Sequence, residues 1–204
     1  MPPARTLGGA RSQGGACLSS FLVRSGTLVR MDPAGAVGRG DLLAVDGAIA
    51  ALGDDVPAAL AALPRGTADD SFDAAGACVL PGLVQGHLHL CQTLFRGYAE
   101  QSDLMAWLRE TVWPFEAAHT EASLAASARL GLCELIAGGV TCVNDMGTVH
   151  HTQVIGEALE SSGIRAVFGK ALMDQGQGVP ERLIEGRDVA LAEVRALAAR
   201  FHGG

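Results

Sequence analysis

The chain has 204 residues, of which 49% are hydrophobic and 18% charged, and its formal net charge is −7. That supplies enough apolar surface for a folded core in one or two domains and too little charge for a disordered chain. The acidic balance and an aromatic content of 4% exclude a basic or base-stacking footprint for nucleic acid and a cationic patch for an anionic membrane.

Residues 1–20, punctuated by Gly8-Gly9 and Gly14-Gly15, show no periodicity and read as a flexible lead-in. They lack the apolar run of about 7–15 residues that a signal peptide needs. No later stretch of about 18 uncharged apolar residues reads as a membrane span, so the expected location is the cytoplasm. Strands are predicted at Phe21–Arg24 and Thr27–Met31, separated by a turn at Ser25-Gly26 and followed by another at Asp32-Pro33-Ala34-Gly35. Asp46-Gly47 lies between two apolar runs, Asp41–Val45 and Ala48–Leu52, which is the favoured two-residue hairpin pattern. Residues 53–70 read as a loop with some helical Ala. Short strands at Ser71–Asp73 and Ala77–Leu80 would complete a small antiparallel β unit over residues 21–80.

At Pro81-Gly82 the pattern changes. Leu83–Leu90 reads as a buried strand. A helix capped by Ser102 carries Leu104, Met105, Trp107, Leu108 and Val112 and is expected to end at Pro114. Thr120 caps a second helix with the stripe Leu124, Ala128, Leu132, Leu135 and Ile136, stopped by Gly138-Gly139. Strands at Val140–Asp145 and Ile164–Ala171 flank a helix over Thr152–Ser162, and a final helix carries Leu191, Val194, Leu197, Ala198 and Phe201. The order βα, βα, βα implies parallel strands joined by helical crossovers.

The chemistry concentrates at His87-Leu88-His89. Side chains at i and i+2 of a strand share a face, so two imidazoles there can converge on one cation. The alternative is a pair of packed, hydrogen-bonded histidines, at the cost of desolvating both rings. The five cysteines are odd in number and contain no CxxC pair, which leaves a disulfide framework or thiolate zinc ribbon unsupported. The P-loop, GxGxxG, GxSxG and the HxE with PCxxC pair of cytidine-type deaminases are absent.

The run from Leu80 to Leu90 resembles the PGxxxxHxHL signature of the metal-dependent amidohydrolase superfamily. The similarity continues through Gln92–Gly97, Trp107-Leu108, Trp113–Glu116, Gly139–Thr141, Asn144–Met146 and Gly163–Ala166. It covers residues 21–204. Within the superfamily it resembles the branch of methylthioadenosine/S-adenosylhomocysteine deaminases, 5′-deoxyadenosine deaminases and triazine chlorohydrolases. The resemblance implies an α/β fold: the N-terminal half of a small β-sandwich (21–80) followed by the first three βα units of a (β/α)8 TIM-type barrel (81–204). A whole barrel takes about 250 residues, so this is an incomplete one.

The resemblance also implies one divalent metal, zinc or iron, with His87 and His89 as two of its ligands. The family's further His and Asp ligands and its proton-shuttling Glu and His have no counterpart in this sequence. No catalytic residue is therefore assigned within the chain. Glu116 corresponds to a Glu that meets ribose hydroxyls, its alternative being an exposed helix-flanking charge. Lys170 stands where the family's homocysteine-nucleoside deaminases place an Arg, as a substrate-facing cation without the planar fork. Asp145, at the end of the second barrel strand, either orients a ligand or binds substrate at the catalytic face, or caps a loop. His150-His151 form either a rim contact or a solvated pair, and Cys91 reads as packing. The implied reaction is hydrolytic deamination of an adenine nucleoside or similar amino-heterocycle. The alternatives are a triazine-type hydrolase and a truncated, non-catalytic fragment, the chain alone being expected to be inactive. The expected partners are a small-molecule substrate and, for the protein itself, either self-association or a complementing C-terminal chain, with no nucleic acid and no membrane.

Overall fold

The structure, a computed structural model, describes residues 19–98 and 103–202. The lead-in expected over residues 1–20 lies almost wholly outside them. The chain divides at Pro81/Gly82 into two compact units.

The first unit is a five-stranded sheet. β1 (Ser20–Val29) pairs antiparallel with β2 (Val37–Val45), which pairs antiparallel with β3 (Ala48–Leu52). Asp46 and Gly47 both take positive φ, 50° and 79°, as the two-residue turn between β2 and β3 requires. On its other edge β1 pairs with β4 (Asp70–Asp73) and β5 (Cys78–Val79), and both run parallel to it. The unit is therefore mixed and not antiparallel throughout. Parallel neighbours need a crossover connection, and the segment between β3 and β4, with the short helix α1 (Val56–Ala61), supplies it. Leu22, Leu43, Ala51 and Val56 form the core, with Leu60 and Leu63 packed against them.

The turn expected at Ser25-Gly26 is a bulge within β1. Val23 pairs with Leu42 and Gly26 with Gly40, so Arg24 and Ser25 stand opposite Asp41 alone. Ser25 reaches φ 61°, and its N–H donates to Asp41 Oδ1 at 2.8 Å. A Cβ at Gly26 would sit 2.6 Å from Val79 Cγ2, so glycine is needed for β5 to approach.

The second unit is a parallel sheet in the order β6 (Leu83–Leu88), β7 (Val140–Asp145), β8 (Arg165–Phe168). Asp103 caps α2 (Leu104–Trp107) by accepting from the N–H groups of Met105 and Ala106; Ser102, the expected cap, lies outside the described residues. Pro114 does not end this helix. A π-helical turn over Leu108–Val112 widens the spiral, Trp113 N–H donating to Leu108 O five residues back, and α3 (Trp113–Ala118) continues through the proline.

Thr120 and Ser123 form a reciprocal capping box at the start of α4 (Glu121–Ala137). Gly163 at φ 71° closes α5 (Thr152–Ser162), and α6 (Arg187–Phe201) follows β8. Leu90, Leu124, Ala128, Leu132, Val143, Ile155 and Leu159 make the core between sheet and helices.

β6 is not the buried strand its composition suggests. Leu83 is 53% and Val84 70% exposed, as is Val167 of β8 at 66%, whereas Val143 packs into the core. The helices cover one face of this sheet, and among the described residues β6 and β8 each pair on one side only. No helix among the described residues is long and apolar enough to cross a membrane.

Candidate functional site

β6 carries the histidine pair, and its register with β7 is uneven. Gln85 faces Val143 and Leu88 faces Asp145, so Gly86 and His87 share the single residue Asn144 as their opposite. Beyond this irregularity the His87 and His89 rings lie edge to face, their centroids 5.1 Å apart. His87 is exposed and His89 half-buried. Two neutral imidazoles so placed fit two positions of a divalent zinc or iron site. Among the described residues no group of three or more His, Cys, Asp or Glu is placed to hold a metal ion.

His89 is also the last extended residue before a 3₁₀ turn over Leu90–Phe95, and three elements tie that turn down. Asp145 Oδ1 accepts from Leu90 N–H at 2.7 Å. Ser127 Oγ of α4 lies 2.8 Å from Leu90 O and 3.0 Å from Cys91 O. His119 Nε2 lies 2.8 Å from Cys91 O, with Nδ1 2.9 Å from Ser123 Oγ and the ring stacked on Phe95. A carbonyl only accepts, so the Nε2 nitrogen carries the proton. His119 and Ser127 were not singled out in the sequence. The available signals were a histidine just before the Thr120 cap and a hydroxyl inside the apolar stripe of α4.

Glu116 is not an exposed flanking charge. It is half-buried on α3, and its Oε1 accepts from Gln92 Nε2 at 2.9 Å and from Cys91 Sγ at 3.5 Å. Burial pushes the Cys91 thiol far above its ordinary range, with the charges of Glu116 and Asp145 adding to the effect. Cys91 is thus inert packing.

Asp145 is 1% exposed. Burial raises its carboxyl above the usual range, while the N–H groups of Leu90 and Gly147 and the charge of His89 pull the other way.

Lys170 requires a correction. Its side chain is 0% exposed, 2.8 Å from Glu185 Oε1 and 3.0 Å from Glu193 Oε2, and its ammonium also donates to Val149 O. The buried ammonium is taken up within the protein by one carbonyl and two carboxylates, so Lys170 is a buried tie between the loops after β7 and β8 and helix α6, not a substrate-facing cation. Glu185 Oε1 makes no directed hydrogen bond, and charge alone holds it against the ammonium. Lys170→Met leaves two carboxylates without their cation. The expected loss is about 3–5 kcal/mol, measured as a shift in urea denaturation against the parent chain at one protein concentration.

His150 and His151 are also engaged. His150 Nε2 lies 2.6 Å from Arg182 O, and His151, at φ 61°, sets Nδ1 3.4 Å from Glu121 Oε1. His202 sits exposed at the end of α6.

Comparison with known proteins gives a consistent result. Residues 78–203 match the model of the amidohydrolase family. A 5-methylthioadenosine/S-adenosylhomocysteine deaminase of Haloarcula marismortui is 38% identical over 152 residues, 74% of this chain and 33% of that protein. A 5′-deoxyadenosine deaminase of Methanothrix thermoacetophila is 35% identical over 156 residues, 76% of this chain and again 33% of its own length. The chain therefore spans about a third of these relatives. Among solved structures, an adenosine deaminase from Xanthomonas campestris with bound zinc superposes with a TM-score of 0.77 at 26% identity, over 91% of this chain and 40% of that one.

Proposed function

The chain belongs to the amidohydrolase family, and on that footing we propose that it is the N-terminal part of a zinc-dependent deaminase acting on an adenine nucleoside. In this reading residues 21–80 contribute to a small β-sandwich, and residues 81–204 are the first three βα units of a (β/α)8 barrel. The observation that carries the proposal is the His87–His89 pair, with ring centroids 5.1 Å apart at a strand end, inside the segment that matches the family. The relatives named as deaminases and the zinc in the solved neighbour support the same chemistry.

His87 and His89 would hold the metal through neutral ring nitrogens. A zinc ion there supplies the Lewis acidity that readies water for attack on the ring carbon bearing the amine, ammonia being the leaving group. Glu116 has Oε1 fixed by Gln92 and Cys91, which orients its second carboxylate oxygen to accept from a vicinal diol. The remaining strands, with the remaining ligands and the groups that move protons, come from further polypeptide. The partners in this reading are a small-molecule substrate and the polypeptide that supplies those strands.

The test is complementation. The chain is co-expressed with the C-terminal two-thirds of a 5′-deoxyadenosine deaminase, and release of ammonia from 5′-deoxyadenosine and of chloride from a chlorotriazine is followed. Ammonia release, lost by orders of magnitude on His87→Ala or His89→Ala, is the expected outcome. Chloride release alone would assign a triazine-type hydrolase, and neither product would refute both readings.

A further inference from the structure

We infer that Asp145 is a positioning residue that fixes the backbone of His89 where its ring can lie beside that of His87; the inference rests on the reading of this pair as metal ligands. The argument concerns the two peptide groups that flank His89. On the N-terminal side, Leu88 O accepts from Met146 N–H at 3.0 Å. On the C-terminal side, Leu90 N–H donates to Asp145 Oδ1 at 2.7 Å. Asp145 at the end of β7 and Met146 directly after it therefore hold both peptide planes, which restrains the backbone of His89 at φ −133° and ψ 91°. Only the side-chain torsions of the ring remain free.

The carboxylate is itself immobilised. Its Oδ2 accepts from Gly147 N–H at 2.8 Å. Gly147 stands at φ 72°, and a Cβ there would fall 1.9 Å from Gly169 O, so the backbone at this point admits no side chain and no slack. The Asp145 carbonyl accepts from Gly169 N–H at 3.1 Å. One residue thus joins the chain segments that follow β6, β7 and β8, and water has no access to replace it. Both carboxylate oxygens are occupied by N–H donors, which makes Asp145 a support for a ligand rather than a ligand.

A residue that only stabilised the fold would lower the melting temperature and leave metal affinity unchanged while the protein stays folded. A positioning residue changes the affinity itself, and supporting groups around metal sites contribute about 10–100-fold. The experiment titrates zinc against a chromophoric chelator with the parent chain, Asp145→Asn, Asp145→Ala, His87→Ala and His89→Ala, at a temperature where the far-UV circular dichroism of each matches the parent. Asn keeps the shape but must turn its NH₂ toward one of the two N–H donors. The expected result is zinc affinity lost in both histidine variants and weakened about 10–100-fold in Asp145→Asn. Parent-like affinity in Asp145→Asn and Asp145→Ala, with the histidine variants impaired, would overturn the positioning role and leave the metal reading intact. Parent-like affinity in His89→Ala would instead refute the metal reading. The positioning role is then judged on ¹³C-histidine-labelled chains: it stands if the nuclear Overhauser contact between the two rings is lost in Asp145→Ala, and falls if that contact persists.

Discussion

Produced by itself, the 204-residue chain is expected to elute from size exclusion as dimers and larger species, or to precipitate, and not to melt as a cooperative monomer. Among the described residues β6 and β8 each offer an edge of unpaired N–H and C=O groups, which other chains can extend. Leu83, Val84 and Val167 stand exposed on these same strands. Burying an aliphatic side chain is worth about 1.5–3 kcal/mol, so leaving these three wet forfeits several kcal/mol against a typical total of about 5–15 kcal/mol. Co-expression with a complementing C-terminal chain should convert the population to a defined complex. A monodisperse monomer with a sharp calorimetric transition would show that these edges are tolerated.

The chain alone should also show no measurable deamination. A catalytic zinc site takes three protein ligands and leaves a fourth position for water, whereas His87 and His89 supply two. No third group joins them among the described residues. Enzymes commonly turn over at about 1–1000 per second. Purified chain with added zinc and 5′-deoxyadenosine should stay at the uncatalysed background, measured by coupled ammonia release. Turnover in the enzymatic range, lost in His89→Ala, would mean that this third of the family's length is sufficient.

What could be read in the sequence, and what could not, divides on physical grounds. Asp46-Gly47, Thr120 and Gly163 act through their own backbone or that of close neighbours, and the structure places turn, cap and helix stop at those residues. The His87–His89 spacing reports a shared side, and the rings do lie together, although the register slip at Gly86 and His87 was not visible. In the first sheet strand direction was not legible either, because alternation looks the same in parallel and antiparallel pairs and no helix-sized crossover pattern marks it; β4 and β5 run parallel to β1. Composition marked β6 as buried, but burial depends on what covers a face. The role of Lys170 is set by Glu185 and Glu193, 15 and 23 residues further along. No local pattern announces that contact. His119 and Ser127 were missed for the same reason: their partners are carbonyls of another element.

The place of β1 in the first sheet bears on how this protein is born. Among the described residues β1 is the first strand made, and it lies inside the sheet, between β2 and the pair β4 and β5. The hairpin β2–β3 can form soon after its residues leave the ribosome and shield one side of β1. The other side waits for Asp69 and Asp70, since Ser20 is bonded to Asp69 across 49 residues. At a synthesis rate of about 5–20 residues per second, that wait lasts about 2–10 s. Throughout it the nascent sheet has one open side, which gives chaperones a defined interval in which to act.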